Sequence, residues 1–155
     1  MSTKKILVVD DNLSFLKFMR KFFNKFDHMI ITADSAEEAE HILKYEENIS
    51  LIITDLKMPW LNGLDFCRRV KTLKPDLKIY ALSGYINDFD MNELKDAGFN
   101  GIYQKPIRKA NLEEIMNSPR IKLRGIMSAS LRFADDKECS YFRFIPRCKQ
   151  RGIQI

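Results

Sequence analysis

The chain has 155 residues, room for one ordinary domain and a short appendage, and its 45% hydrophobic and 30% charged content is that of a soluble globular protein. No apolar run approaches the ~18 residues of a membrane span, and the run Ile6-Leu7-Val8-Val9 ends in Asp10-Asp11, unlike a secretory signal, so a cytoplasmic location is expected. Of the 26 basic and 21 acidic residues behind the net charge of +5, nine and three lie in residues 120–155, which leaves the rest near neutral and argues against a uniformly basic, nucleic-acid-binding fold.

Lys5 to Val9 is apolar on consecutive positions, as a strand buried on both faces would be. From Asn12 to Phe26 the period turns helical. Phe15, Leu16, Met19, Phe22, Phe23 and Phe26 share a stripe opposite Ser14, Lys17, Lys21 and Asn24, with Leu13 and Phe18 at its margin. Met29 to Ala33 reads as a second strand. Ser35 and Glu38 then form a capping box for a helix that turns Ala39, Ile42 and Leu43 inward. Leu51-Ile52-Ile53 is a third buried strand ending at Thr54-Asp55. Past Met58-Pro59 and the turn-prone Asn62-Gly63, a helix with Phe66, Val70 and Leu73 inward runs to Pro75. Leu77 to Leu82 is the fourth strand and stops at Ser83-Gly84. Asp90 and Glu93 start another helix, closed by Gly98. Gly101 to Gln104 is a fifth strand, followed by Lys105-Pro106 and a brief helix around Leu112, Ile115 and Met116.

Five βα units in strict alternation predict an α/β fold, one parallel sheet with helices on both faces and right-handed crossovers. The composition shift beside Ser118-Pro119 sets the boundary, with the domain in residues 3–117 and a basic extension in 120–155. Within that extension, 126–133 and 141–145 have the pattern of a β-hairpin around the acidic turn 134–138. No function follows for it. Three cysteines, Cys67, Cys139 and Cys148, fit neither a disulfide framework nor a zinc spacing and read as reduced thiols.

In open parallel sheets, chemistry collects at the carboxyl edge. The residues just past the strands are Asp10-Asp11 after the first, Asp55 after the third, Ser83 after the fourth and Lys105 after the fifth. Asp34, after the second, reads as solvated, and His28 and His41 lie away from that edge. An Asp-Asp pair alone is most often a turn or a helix cap, and one strand-end aspartate is unremarkable. Three carboxylates at one edge are different, because they repel unless a cation joins them. An all-oxygen set with open positions suits Mg²⁺.

These residues resemble the receiver domain of two-component response regulators. Val8-Val9-Asp10-Asp11 is similar to the family's acidic pair, Asp55-Leu56-Lys57-Met58-Pro59 with Gly63 to its phosphoacceptor motif, Ala81-Leu82-Ser83-Gly84 to its hydroxyl position and Lys105-Pro106 to its lysine. Each motif is weak alone, and their joint order is specific. The resemblance implies a flavodoxin-like strand order 2-1-3-4-5. It also implies phosphorylation of Asp55 by a partner histidine kinase or histidine phosphotransfer protein, with relay to a downstream protein target. Mg²⁺ would be held by Asp11, Asp55 and the backbone carbonyl of Lys57, with Asp10 reached through water, and Ser83 and Lys105 would bind phosphoryl oxygens. Such a protein is a phosphoacceptor in signal transduction, not an enzyme beyond its own phosphorylation and dephosphorylation.

Further implications of the resemblance are a cis Lys105-Pro106 bond and contact of the first helix, through Leu13 and Phe18, with the phosphodonor. Lys57 and Tyr85, two residues past the phosphoacceptor and the hydroxyl position, would lie beside the path of hydrolytic water. The family's switch aromatic falls at Ile102, with Tyr103 next to it, so the resemblance carries over the Ser83 half of the switch and not its aromatic half. The alternative is a receiver-like binding module that works without phosphorylation, which has no need of all five polar residues. A phosphatase with its nucleophile in a D-x-D pair and a G-x-G-x-x-G dinucleotide enzyme both lack their motifs here.

Overall fold

The computed structural model describes residues 4–26 and 28–117. The boundary at Ser118-Pro119, the hairpin pattern and two of the three cysteines lie outside them. Five strands, β1 (Lys5–Val9), β2 (Met29–Ala33), β3 (Ile49–Asp55), β4 (Lys78–Ser83) and β5 (Gly101–Gln104), alternate with helices α1 (Leu13–Phe23), α2 (Ala36–Tyr45), α3 (Gly63–Leu73), α4 (Met91–Asp96) and α5 (Lys109–Asn117). All pairings are parallel, in the order β2-β1-β3-β4-β5, as the sequence predicts.

Strand periodicity divides the core into two layers, since successive side chains leave opposite faces. Leu7, Val9, Ile52, Ile79 and Ala81 pack with Ala39, Leu43, Phe66, Val70 and Leu94 of α2, α3 and α4. Ile6, Val8, Ile53, Tyr80 and Leu82 pack with Leu16, Met19, Phe23, Leu112 and Ile115 of α1 and α5. Both faces are covered, so the middles of the central strands are apolar, and polar side chains such as Lys5, Ser50 and Lys78 lie at their amino ends while the acidic and hydroxyl groups lie at their carboxyl ends.

Caps fix where the helices begin, and three of them lie at that edge. The Asn12 carboxamide oxygen accepts from the backbone N–H groups of Ser14 and Phe15, so Asn12 caps α1 and leaves both preceding aspartates free for other work. Ser35 caps α2, and the Glu38 carboxylate reaches back to the Asp34 N–H. Asn62, read from the sequence as a turn residue, caps α3 through the Asp65 N–H.

Several boundaries differ from the sequence reading. The α-helical part of α1 ends at Phe23, and Asn24–Phe26 tightens into a 3-10 turn. A second 3-10 turn, Ile86–Asp88, takes up part of the segment before the six-residue α4. β3 is longer than its apolar centre, running from Ile49 into Asp55. Leu73, placed inward by helical period, is 82% exposed at the last turn of α3. The period marks a side of the helix, and among the described residues no neighbouring element covers it at that turn.

Candidate functional site

The site is assembled where β1, β3, β4 and β5 end. Asp10 follows β1, and its backbone N–H continues the ladder to the Ala33 carbonyl at 3.1 Å. The turn then folds back, and the Asn12 N–H donates to Asp10 Oδ1 at 2.9 Å. This leaves Asp10 1% exposed and Asp11 turned outward. Asp55 is the last residue of β3. Its Oδ1 accepts from the Lys57 N–H at 3.3 Å.

Gly63 forms the floor beneath Asp55. The turn is closed by the Gly63 N–H donating to the Leu56 carbonyl at 3.0 Å. A Cβ at Gly63 would sit 2.1 Å from the Asp55 carbonyl oxygen, so no larger residue fits without moving the end of β3.

Lys105 ties the edge together from the far end of the sequence. Its Nζ lies 2.6 Å from Asp10 Oδ2 and 2.7 Å from Asp55 Oδ2, and 4.8 Å from the centre of the Phe15 ring. The Lys105 N–H also donates to the Ser83 carbonyl at 2.8 Å, and the bond to Pro106 is cis. Ser83 is fully buried, its Oγ accepting from the Tyr85 N–H at 3.0 Å.

The charges are unequally matched. One ammonium faces two buried carboxylates, with Asp11 close by. Burial pushes the Asp10 carboxyl above the usual carboxylate range, a tendency that the Lys105 and Asn12 hydrogen bonds oppose without cancelling. Burial by itself would lower the Lys105 ammonium, and the hydrogen bonds to Asp10 and Asp55 outweigh it, leaving it raised. One ligand oxygen from each of Asp10, Asp11 and Asp55 can be drawn from a set lying within 4.8 Å of one another. A hard divalent cation fits that all-oxygen set, since it answers the negative charge that Lys105 leaves unbalanced.

The remaining residues singled out in the sequence lie around this pocket or elsewhere. Lys57 is exposed, its Nζ 4.7 Å from the centre of the Tyr85 ring and 3.6 Å from the Asp88 carboxylate. Ile102 is half-buried against the α2–α4 layer, whereas Tyr103 packs in the opposite layer with Tyr80, Leu112 and Ile115. Tyr103 therefore sits on the other side of the sheet from the usual switch position. Leu13 and Phe18 are exposed on α1. His41 packs against Tyr45 with the two rings tilted, remote from the pocket, and Asp34 is exposed. Among the described residues, no helix is long and apolar enough to cross a membrane. Trp60, fully exposed in the loop after Asp55, escaped the sequence reading, although Pro59-Trp60 before Asn62-Gly63 was its signal.

Comparison with known proteins gives the same picture. The family model of the response regulator receiver domain matches residues 6–117. The response regulator receiver protein CpdR of Brucella abortus is 33% identical over 82 residues, covering 53% of this chain and 68% of that protein. Sporulation initiation phosphotransferase F of Bacillus subtilis is 26% identical over 119 residues, covering 76% of this chain and 92% of that protein. A crystal structure of a response regulator receiver protein from Pseudomonas putida is 30% identical, with a TM-score of 0.68 over 76% of this chain and 98% of that one. Other curated relatives are far longer, and the match spans only 18% of one from Arabidopsis thaliana.

Proposed function

The chain belongs to the response regulator receiver-domain family of two-component signalling, and from that premise we propose that Asp55 accepts a phosphoryl group from a phosphohistidine on a partner histidine kinase or histidine phosphotransfer protein. The observation that carries this reading is the convergence of Asp10, Asp55, Ser83 and Lys105 from four strand ends onto one pocket. Function is assigned to residues 3–117, which hold every site residue, and none to 120–155.

Asp55 is the nucleophile. A carboxylate oxygen bonds to phosphorus as the phosphorus–nitrogen bond breaks, and the donor imidazole leaves with the electron pair. No general base is required, because a carboxylate nucleophile has no proton to give up as it attacks. The difficulty is electrostatic, an anion approaching an anion. Lys105, raised and fully charged, pairs with a phosphoryl oxygen in place of an Asp55 oxygen. Ser83 has a hydroxyl proton to donate to another. Asp10, Asp11, Asp55 and the Lys57 carbonyl would hold Mg²⁺, which would supply the remaining positive charge.

Phosphorylation adds about −1.5 to −2 of charge and three acceptor oxygens at Asp55. Ser83 and Lys105 carry that change to β4 and β5, and a protein-interaction surface there reports it to a downstream target. With Ile102 at the family's aromatic position and Tyr103 held in the other layer, the response runs through Ser83 and Lys105 without a swinging ring. The chain is a signalling module of the cytoplasm that catalyses at most its own phosphorylation and dephosphorylation.

The metal assignment is tested by Asp11→Ala. Asp11 is exposed and outside the Lys105 ion pairs, so its loss should spare the fold while removing a direct ligand. Phosphorylation by acetyl phosphate is expected to fall at least tenfold at limiting Mg²⁺. An Asp11→Ala protein that labels with the Mg²⁺ dependence of the parent would refute it.

The lifetime of the phosphoryl group is expected to be long. The Lys57 ammonium, set between the Tyr85 ring and the Asp88 carboxylate, spans two loops at the pocket mouth. Neither Lys57 nor Tyr85 is a base that would orient water, and both crowd its approach. Decay of the purified phosphoprotein should be several-fold faster in Lys57→Ala and Tyr85→Ala. If neither variant decays faster, shielding is wrong and the Asp55 assignment is untouched.

A further inference from the structure

Three of the seven exposed large apolar side chains among the described residues stand at one edge of the molecule. They are Leu13, Trp60 and Tyr85, in the segments that leave the carboxyl ends of β1, β3 and β4. Those segments also hold or flank Asp10, Asp55 and Ser83. A charged pocket thus has an apolar collar.

Trp60 is the extreme member of the collar. It is the only tryptophan of the chain and is 98% exposed, so its indole buries nothing within the fold. Its backbone has φ 66°, in the left-handed region, and the Leu61 N–H donates across it to the Pro59 carbonyl at 2.8 Å. That is a three-residue γ-turn of the less common hand, centred on a bulky residue for which such a φ is an outlier. Glycine would relax the turn. The indole therefore carries a backbone cost and an exposure cost with no return from packing, and strain of this kind clusters at functional sites.

We propose that Trp60 is the anchor by which the phosphohistidine-bearing protein docks over Asp55, with Leu13 and Tyr85 completing the apolar contact. This rests on the phosphoacceptor reading of Asp55. A protein donor must bring its histidine to bonding distance of that carboxylate, so its surface necessarily covers the residues around the pocket mouth. An exposed tryptophan there supplies a rigid, largely apolar group, the kind that dominates interface energetics when it enters a recess on the partner. Tyr85, its ring centre 4.7 Å from the Lys57 ammonium, offers a second exposed aromatic surface. The partner should carry an apolar recess beside its phosphohistidine.

The test compares protein and small-molecule donors. Histidine kinases and phosphotransfer proteins of the source organism are phosphorylated and presented to the parent chain, and the fastest donor is taken forward with Trp60→Ala and Trp60→Gly. Transfer from that donor is expected to slow by about tenfold or more in both variants, with labelling by acetyl phosphate unchanged. Trp60→Gly should also melt no lower than the parent, since glycine suits the turn. In the parent, titration with the unphosphorylated donor should shift the indole emission to the blue. Equal transfer to parent and variants would overturn the proposal, as would a parallel loss with acetyl phosphate or the absence of any protein donor for a parent that acetyl phosphate labels. A parent that acetyl phosphate leaves unlabelled would instead strike at the phosphoacceptor reading beneath it.

Discussion

Lys105→Ala is expected to abolish useful phosphorylation and to destabilise the metal-free protein by about 3 kcal/mol. The structure gives both effects one cause. The Lys105 ammonium is the cation within hydrogen-bonding distance of Asp10 and Asp55, at 2.6 and 2.7 Å. Removing it leaves a carboxylate that is 1% exposed beside another buried one. Breaking a buried ion pair costs about 3–5 kcal/mol, and the 22% exposure of the lysine side chain argues for the lower end. The sign of the pH dependence follows. Burial already raises Asp10 in the parent, so the folded state holds its proton to higher pH than the unfolded chain does. Stability from this group is therefore gained as pH falls through its folded-state range and lost as pH rises. Without Lys105 that rise should grow, and the deficit of the variant should shrink on acidification. Urea denaturation in chelator at a series of pH values checks this. A Lys105→Ala protein as stable as the parent at neutral pH would contradict it.

The second large effect is expected from Gly63→Ala, a change of one methyl group. The added Cβ would lie 2.1 Å from the Asp55 carbonyl oxygen and 3.0 Å from the Leu56 Cα. Both neighbours are backbone, so no side chain can turn aside to make room. Overpacking of a tight site costs about 1–3 kcal/mol, and here the upper end applies because the strand end itself must shift. Catalytic geometry is more sensitive still, since a displacement of about 1 Å can cost 10²-fold in rate. Acetyl phosphate labelling should fall at least tenfold more than the loss of folded protein explains. Labelling at the parental rate would show that the loop yields without disturbing Asp55.

How far the sequence anticipates this depends on the range of the interaction. Consecutive apolar residues at 6–9 and 51–53 specify strands buried on both faces, and the polar residue ending each strand is readable by position alone. Strand order and the shared edge then bring Asp10 and Lys105, 95 residues apart in the chain, to 2.6 Å. Local caps are partly visible. Ser35 caps its helix as the Ser35-Glu38 pattern predicts, although the Glu38 carboxylate returns to the Asp34 N–H and not to that of Ser35, whereas Asn62 reads as a turn residue because a cap and a turn favour the same side chains. Features set by tertiary approach were not legible. Helical period placed Leu73 inward, yet burial depends on whether a neighbouring helix reaches that turn. Gly63 could be noted as part of a motif, but its closeness to the Asp55 carbonyl exists only once β3 and α3 are joined. Trp60 was missed for a related reason, as a fully exposed tryptophan runs against the compositional expectation for its type.

The account stands on Asp55 as phosphoacceptor, and intact-mass measurement after incubation with Mg²⁺ and acetyl phosphate addresses it directly. The parent chain should gain the mass of a single phosphoryl group, while Asp55→Asn, which keeps the shape and removes the nucleophile, should gain none. A parent that stays unmodified, or an Asp55→Asn protein that gains the same mass, would contradict the account.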